Sequence, residues 1–430
     1  MSSFGSTERS IAKALEKFPF MRNLIKESYK RLIYLYHKKK GFYHSIHPMA
    51  TIQTAYTWAG SEVPSVPFFF GYYDKPPWSK DMTSVILHRS TGKNVEIDIV
   101  NSDGNKTTVG STSTWNWQQG AMAQWMNGDP LLPIVYNTVE NGILGCRIAE
   151  RNGIHRTFIP WPVQAVNPVN NQALSLNYRR LWRLRPCYGY AEQVKNFTPH
   201  QALSNDGIWR IDLNTSRASL IIPLAELAEH QKVPEMMNAE HKVNHCIYSP
   251  AGDRFVFLYR FIAKSGKYSR LFSANADGSS LRLLMNDRMV SHYHWENNDN
   301  LLVWGRTEWG GDRYYRINVD NGSTTVIGKD IIDRYGDGHC SKSPVGPWII
   351  TDSYPDKARL QHLLLYNCDN NRCIELGTFF SPWRYTESKR CDLHPRWSVN
   401  GTHISIDSVY EGRRKSYIID VSKIVGTNRS

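Results

Sequence analysis

Apolar residues recur along this chain in two rhythms. Over residues 8–40 they fall three and four apart: Ile11, Ala14, Leu15 and Phe18, then Leu24, Ile25, Tyr29, Leu32, Ile33 and Tyr36. Such spacing draws one stripe down a helix, and Pro19 interrupts it because proline lacks the N–H that the helix interior needs. The pattern predicts a short helix, a break, and a second helix of about four turns. From residue 65 onward the helical period fades, except around 223–231. Short runs rich in Ile, Val, Tyr and Trp now alternate with Gly, Asn and Asp turns, which reads as strands joined by hairpins.

These strands repeat as a unit: an aromatic or Ser-Pro turn, a Gly/Asn/Asp pair, then an apolar strand ending in Arg or Asp. The clearest copies are YSPAGDRFVFLYR at 248–260, HWENNDNLLVWGR at 294–306, KSPVGPWIITDSY at 342–354 and RWSVNGTHISIDSV at 396–409. Anchors near 78, 125, 175, 249, 295, 343 and 398 are mostly 45–55 residues apart, and the long third interval carries an insertion at 191–205. Seven four-stranded units predict an all-β, seven-bladed β-propeller over residues 65–430, preceded by a basic helical arm and linker over 1–64.

Composition sharpens this picture. Aromatics make up 12% of the 430 residues, with 14 Trp and 23 Tyr, which excludes a disordered chain and suits packing between blades. No apolar run reaches the roughly eighteen residues of a membrane span. The first residues lack the apolar core and small-residue cleavage site of a secretory signal, so the expectation is a cytoplasmic protein. Seven scattered cysteines read as reduced thiols, with Cys368 and Cys373 flanking a DNNR turn.

The formal charge is +13, yet residues 8–40 alone hold a net +7 and the other 397 share only +6. The basic amphipathic arm therefore suits an anionic membrane surface, which would make the protein peripheral at the inner membrane. The other reading is a helix packed on the propeller with its basic face in water. The remainder of the chain carries no nucleic-acid-binding signature, so nucleic acid is not an expected partner.

His245, His292, His339 and His394 come one per blade, 47, 47 and 55 residues apart, each shortly before its turn anchor. They are expected to converge on one face near the axis. There they can ligate a divalent transition metal, zinc or manganese, with Cys391 adding a thiolate. The alternative is that each histidine locks its own blade through backbone hydrogen bonds. Arg260 and Arg306 end equivalent strands of adjacent blades and are placed to clamp a carboxylate.

Five segments carry a more specific likeness: FFFGYYDKPPWSKD (68–81), WNWQQGAMAQW (115–125), HKVNHCIYSPAGDRFVFLYR (241–260), GDGHCSKSPVGPWIITDSYPD (336–356) and CDLHPRWSVNGTHISIDSV (391–409). Over residues 65–425 the chain resembles the propeller lyases of uronate-containing polysaccharides, the oligogalacturonate lyases and, more closely, the ulvan lyases. The resemblance implies a metal on His292, His339, Cys391 and His394, and a catalytic base at His245. Tyr188 and Tyr190 match the tyrosine region of ulvan lyases, and Arg210 matches their arginine. His241 and Gln124 are placed with the substrate. Gln124 stands where ulvan lyases carry a catalytic histidine, and glutamine cannot serve as a base near neutral pH.

Elimination from a uronate removes the C5 proton, which requires a neutralised carboxylate, a stabilised enolate-like intermediate and a neutral His or Tyr as proton acceptor. The implied function is a lyase-like enzyme acting on an acidic oligosaccharide or polysaccharide. Two other readings stand beside it. One is a glycosyltransferase or accessory enzyme of capsule or O-antigen assembly at the inner membrane, and the other is a non-catalytic propeller scaffold.

Overall fold

Seven antiparallel sheets follow one another over residues 68–112, 124–159, 165–223, 240–285, 290–327, 341–380 and 396–420, and together they form a seven-bladed β-propeller. The computed structural model describes the backbone of residues 19–126, 129, 131 and 133–426, and side chains from residue 28 onward. The first expected helix, before Pro19, lies outside the described residues. Middle strands are buried on both faces because each blade is covered by two neighbours. Phe255–Tyr259 and Trp348–Asp352 are buried throughout, which is why they appear in sequence as unbroken apolar runs.

The aromatic excess is spent between blades. Val256 and Leu258 of blade four pack on Tyr293 and Trp295 of blade five. Trp304 and Tyr314 of blade five meet Ile349 and Tyr366 of blade six. The recurrent tryptophan of the first strand does the same task three times. Trp125, Trp295 and Trp397 donate their indole N–H to Pro77 O at 2.9 Å, Ile247 O at 3.2 Å and Ser341 O at 3.3 Å, each a carbonyl of the preceding blade.

The ring is closed by the chain's own beginning. Thr51–Thr54 pairs with Lys415–Asp420 as the outer strand of blade seven, and His44–Ile46 adds a fifth strand to blade six against Cys373–Phe380. The sequence reading starts the propeller at residue 65, whereas residues 44–54 already supply two of its strands. On the inner side, Asp407 of blade seven accepts from the amides of Phe70 (3.1 Å) and Gly71 (3.0 Å) and from Arg396 Nη2 (2.9 Å). Both charged side chains are 1% exposed. Removing the carboxylate strands a buried guanidinium and two amides, so Asp407→Ala is expected to cost about 3–5 kcal/mol, measurable as a lower urea midpoint.

The innermost strand of blade one departs from the ladder. Phe68 and Phe69 pair with Arg89 and His88, and pairing resumes only at Trp78 opposite Val85. Residues 70–77 therefore face only Ile86 and Leu87, and the surplus chain loops into the axial channel. Gly71 makes the exit possible: its φ is +131° and a Cβ there would lie 2.9 Å from the Gln119 carbonyl carbon. His88 supports the loop from behind, donating from Nδ1 to Phe70 O (2.7 Å) and accepting at Nε2 from Ala121 N (3.0 Å).

Burial pulls the His88 pKa down to about 4 from its ordinary 6.5. Above pH 6.5 the ring is neutral in both folded and unfolded chains. Below it, the unfolded ring takes a proton that the folded ring refuses until about pH 4. Stability is expected to fall across that window by about 3 kcal/mol from this ring alone, and His88→Gln is expected to flatten the acid side of a urea-midpoint profile.

The second helix, Pro19–His37, runs 19 residues, with proline at its first position, where no intrahelical N–H is needed. Tyr34 anchors it on blade six, 6.4 Å from Phe380 and 5.9 Å edge-on from Trp383. The insertion in blade three spans residues 177–206 between its second and third strands. Asn177 caps the helix Tyr178–Leu184 there, accepting from Arg179 N and Arg180 N.

Candidate active site at the propeller axis

In antiparallel blades, the connections from the second to the third strand and from the fourth strand to the next blade open on the same face. His339 and His394 sit at the ends of two such connections, just before Ser341–Lys342 and Arg396–Trp397. His292 lies within the first strand Val290–Trp295, and His245 lies at a register break in Glu240–Tyr248. His245 and His394 take left-handed backbone, φ 57° and 47°, a conformation that surrounding contacts must hold.

The four histidines meet around the looped-in tyrosines. Ring centroids of Tyr72 lie 4.8 Å from His394 and 5.0 Å from His245. Those of Tyr73 lie 5.2 Å from His339 and 5.7 Å from His292. His339 in turn is 4.2 Å from His292 and 4.3 Å from His394.

Three of these rings are oriented through Nδ1 by acceptors. His292 donates to Asp337 Oδ1 (2.8 Å), His339 to Asp352 Oδ1 (2.9 Å) and His394 to Gly71 O (2.8 Å). Asp352 also receives the amides of His339 (2.7 Å) and His394 (3.1 Å), so one carboxylate positions both residues. A carbonyl or carboxylate oxygen only accepts, so the proton sits on Nδ1 and the Nε2 lone pair is left free. Nε2 of His339 and of His394 are buried without any hydrogen-bond partner. One ring nitrogen of each histidine and a carboxylate oxygen of Asp392 lie within 4.8 Å of one another, and His394 Nε2 is 3.9 Å from Asp392 Oδ2. Two free imidazole nitrogens, a carboxylate and an oriented outer shell fit a divalent transition metal.

Electrostatics divides the cluster. Burial pushes His394 well below the ordinary histidine value, helped by His339 and Arg396. Burial also lowers His339, but the Asp352 carboxylate overrides it and the net shift is upward. Asp392 is pushed up by burial and held below its ordinary value by Arg390, whose Nε donates to Oδ2 at 2.6 Å. His245 is driven well below its ordinary value by burial and by His292, so it is neutral near pH 7. Neither of its ring nitrogens nor Asp74 Oδ1 has a hydrogen-bond partner, and Nε2 stands 3.5 Å from Asp74 Oδ2.

A cationic group adjoins the histidines. Lys242 and Arg260 are register partners in blade four, and Arg185 arrives from the insertion, stacked over Tyr188 at 4.5 Å. Lys242 is 4% exposed, and burial with Arg260 and Arg185 beside it brings its pKa down to about 6. Burial and Arg185 lower Arg260 as well, and its Nε is buried unpartnered. Among the described residues none of the three pairs with a carboxylate, so the group is electrostatically ready for an anion. Tyr188 lies 5.7 Å from Tyr72, and its hydroxyl accepts from Arg390 Nη2 at 2.9 Å.

No family model and no curated protein matches the sequence. Among solved structures the chain is similar to an oligogalacturonate lyase in complex with manganese, at 14% identity and TM-score 0.59, covering 89% of this chain and 98% of that one. It is also similar to an oligogalacturonate lyase from Vibrio parahaemolyticus, at 12% identity and TM-score 0.57, covering 86% and 97%. A prolyl endopeptidase aligns at 10% identity and TM-score 0.50, over 86% of this chain and 49% of that one.

The fold matches that of oligogalacturonate lyase. At these identities the likeness concerns architecture, and the resemblance read from the sequence holds at the level of the fold.

Of the residues singled out in the sequence, His245, His292, His339, His394, Tyr188 and Arg260 are brought together; six others are not. Cys391 is buried outside the ligand group, whereas its neighbour Asp392 joins His339 and His394 in it. Burial raises the Cys391 thiol to about 12. Arg306 is committed to Asp312 through Nε–Oδ1 (2.5 Å) and Nη2–Oδ2 (3.0 Å), with nearly half its side chain in water. Tyr190 stacks on Tyr178 at 4.5 Å and accepts from Asn137 Nδ2 at 3.1 Å, inside the core of the insertion.

Gln124 staples blade two to blade three, accepting from Val166 N (3.1 Å) and donating to Met122 O (3.0 Å). His241 stacks on Tyr259 and shares a 2.6 Å hydrogen bond with its hydroxyl. Arg210 lies in the third strand of blade three, beside Leu174 and Ser219, away from the axis. The sequence reading did not select Tyr72, Tyr73, Asp74, Arg185, Lys242, Asp337, Asp352, Arg390 or Asp392. The signal for Asp337 and Asp392 was their position two residues before His339 and His394.

Proposed function

We infer that this propeller is a lyase-like, glycan-active enzyme that cleaves uronate-containing oligosaccharide or polysaccharide by β-elimination, with a divalent metal at His339, His394 and Asp392. The observation that carries this reading is the cluster of His339, His394 and Asp392, in which both Nε2 atoms are buried and unpartnered, set beside a neutral histidine and two arginines without a carboxylate partner among the described residues. When bound, the ion supplies positive charge that neutralises a uronate carboxylate and makes the adjacent C5 proton more acidic.

The remaining work falls to the chain. Arg260 and Arg185 attract and orient the carboxylates of the sugar or of its neighbour, and Lys242, largely neutral near pH 7 beside them, takes up a proton as the anion arrives. His245, kept neutral by burial, accepts the C5 proton at Nε2, and the Asp74 carboxylate beside it stabilises the resulting imidazolium. The electron pair of the broken C–H bond forms the C4=C5 double bond. The C4–O bond breaks, and the leaving oxygen takes a proton from water. Tyr72 and Tyr73 fill the axis and keep bulk water from the base.

The test is a panel of uronate oligomers incubated with manganese-loaded protein. The expected result is an unsaturated product, seen as rising ultraviolet absorbance and as a new reducing end of matching yield. Metal-loaded protein that leaves every uronate oligomer intact contradicts the reading.

A further inference from the structure

Apart from the reaction at the axis, the surface of the arm shows an unusual combination. Along the helix Pro19–His37, Tyr34 faces the propeller while Leu32, Leu35 and Tyr36 are 67, 57 and 84% exposed. Positions 32, 35 and 36 share one helical face, so the outward side is apolar too. Tyr43 and Met49, just beyond the helix, are also exposed. Around them stand Arg31, Lys38, Lys39 and Lys40, and residues 28–61 contain no Asp or Glu. No described helix is long and apolar enough to cross a membrane.

Exposed leucines and tyrosine bordered by the run Lys38–Lys40 are complementary to one kind of surface, acyl chains beneath anionic headgroups. A soluble acidic protein would satisfy the lysines but leave the leucines without a reason to be outside. We propose that this helix docks the propeller on an anionic lipid surface, inserting Leu32, Leu35 and Tyr36 and laying Lys38, Lys39 and Lys40 on the headgroups.

The position of the helix gives the docking a consequence. It is held by Phe380 and Trp383, and Phe380 N donates to Tyr43 O at 2.8 Å. Trp383 begins the same connection, residues 381–395, that ends in Arg390, Asp392 and His394. A membrane bound by the helix therefore lies beside the rim of the face on which the site is built, and glycan attached to or lying on that membrane is within reach.

The experiment is flotation of the full chain with vesicles of phosphatidylcholine, alone or mixed with phosphatidylglycerol. The expected result is binding to the mixed vesicles only, released by high salt. Changing Lys38, Lys39 and Lys40 to Ala is expected to weaken partitioning about 100-fold. Leu32→Ser with Leu35→Ser and Tyr36→Ser is expected to abolish it, with the urea midpoint of the propeller unchanged. Wild-type protein that stays unbound, or binds both vesicles equally, overturns the proposal. So does a dimer that the serine substitutions dissociate in protein that does not float, since the face would then be covered by a second copy.

Discussion

His245→Asn is expected to lower the rate of elimination by about 10²–10⁴-fold while leaving substrate affinity and metal content within a factor of a few. Asparagine is the informative replacement because it tolerates the left-handed backbone that His245 adopts, so the loop keeps its shape while the base is lost. A large effect is expected because the other groups at the axis are less available, and His292, whose Nε2 lone pair is free, sets the residual rate. His292, His339 and His394 are each committed through Nδ1 to an acceptor, and His339 and His394 face Asp392. Tyr72 and Tyr73 are raised well above the ordinary tyrosine value by burial, which makes their hydroxyls poor bases near neutral pH. Steady-state kinetics on the best uronate oligomer checks this. Tyr190→Phe and Arg306→Ala serve as controls, both expected to keep activity within about twofold because neither touches the site.

The second large effect concerns the ligands. His339→Ala removes one of two imidazole nitrogens and is expected to weaken manganese or zinc binding by at least 100-fold, with activity lost in proportion. Asp352→Asn is expected to give a smaller, separable loss of about 10–100-fold in metal affinity. Its carboxylate holds the His339 ring and receives the amides of both His339 and His394, so the ligands remain but lose their orientation. Calorimetric titration of metal-free protein distinguishes the two, and equal affinity in wild type and His339→Ala would contradict the ligand assignment.

The blades and the convergence of four histidines were legible because both are periodic. A repeat near fifty residues placed His245, His292, His339 and His394 at one phase, and the propeller turned that phase into one locus. What escaped was set by shorter or longer relations. Cys391 and Asp392 are neighbours in sequence, and only the folded path of the connection 381–395 decides which of them joins the ligand site. Arg260 and Arg306 end equivalent strands, but their cross-strand partners differ. Ser269 stands opposite Arg260 and leaves it free, while Asp312 stands opposite Arg306 and consumes it.

Tyr72 and Tyr73 could not be placed from a pattern, because they occupy the part of a strand that leaves its ladder. The closing strand Thr51–Thr54 alternates exposed and half-buried positions without an apolar run, and so it read as linker. Tyr188 and Tyr190 both fall in the segment that resembles the tyrosine region of ulvan lyases, and sequence alone does not part them. The two separate because Tyr190 stacks into the core of the insertion while Tyr188 turns toward Tyr72.

Arg390 adds a constraint that any account of the site must meet. It holds Asp392 at 2.6 Å and Tyr188 at 2.9 Å, so it binds one member of the ligand group to the rim. A metal drawing on Asp392 competes with that guanidinium for the same carboxylate, and the contact with Tyr188 gives Arg390 a partner when it yields. The central claim is therefore positional. A crystal of the full chain soaked with manganese and measured at the manganese absorption edge tests it most directly. The account predicts one strong anomalous peak bounded by His339 Nε2, His394 Nε2 and Asp392. A peak elsewhere, or no peak at saturating manganese with Arg390 still paired to Asp392, would contradict it.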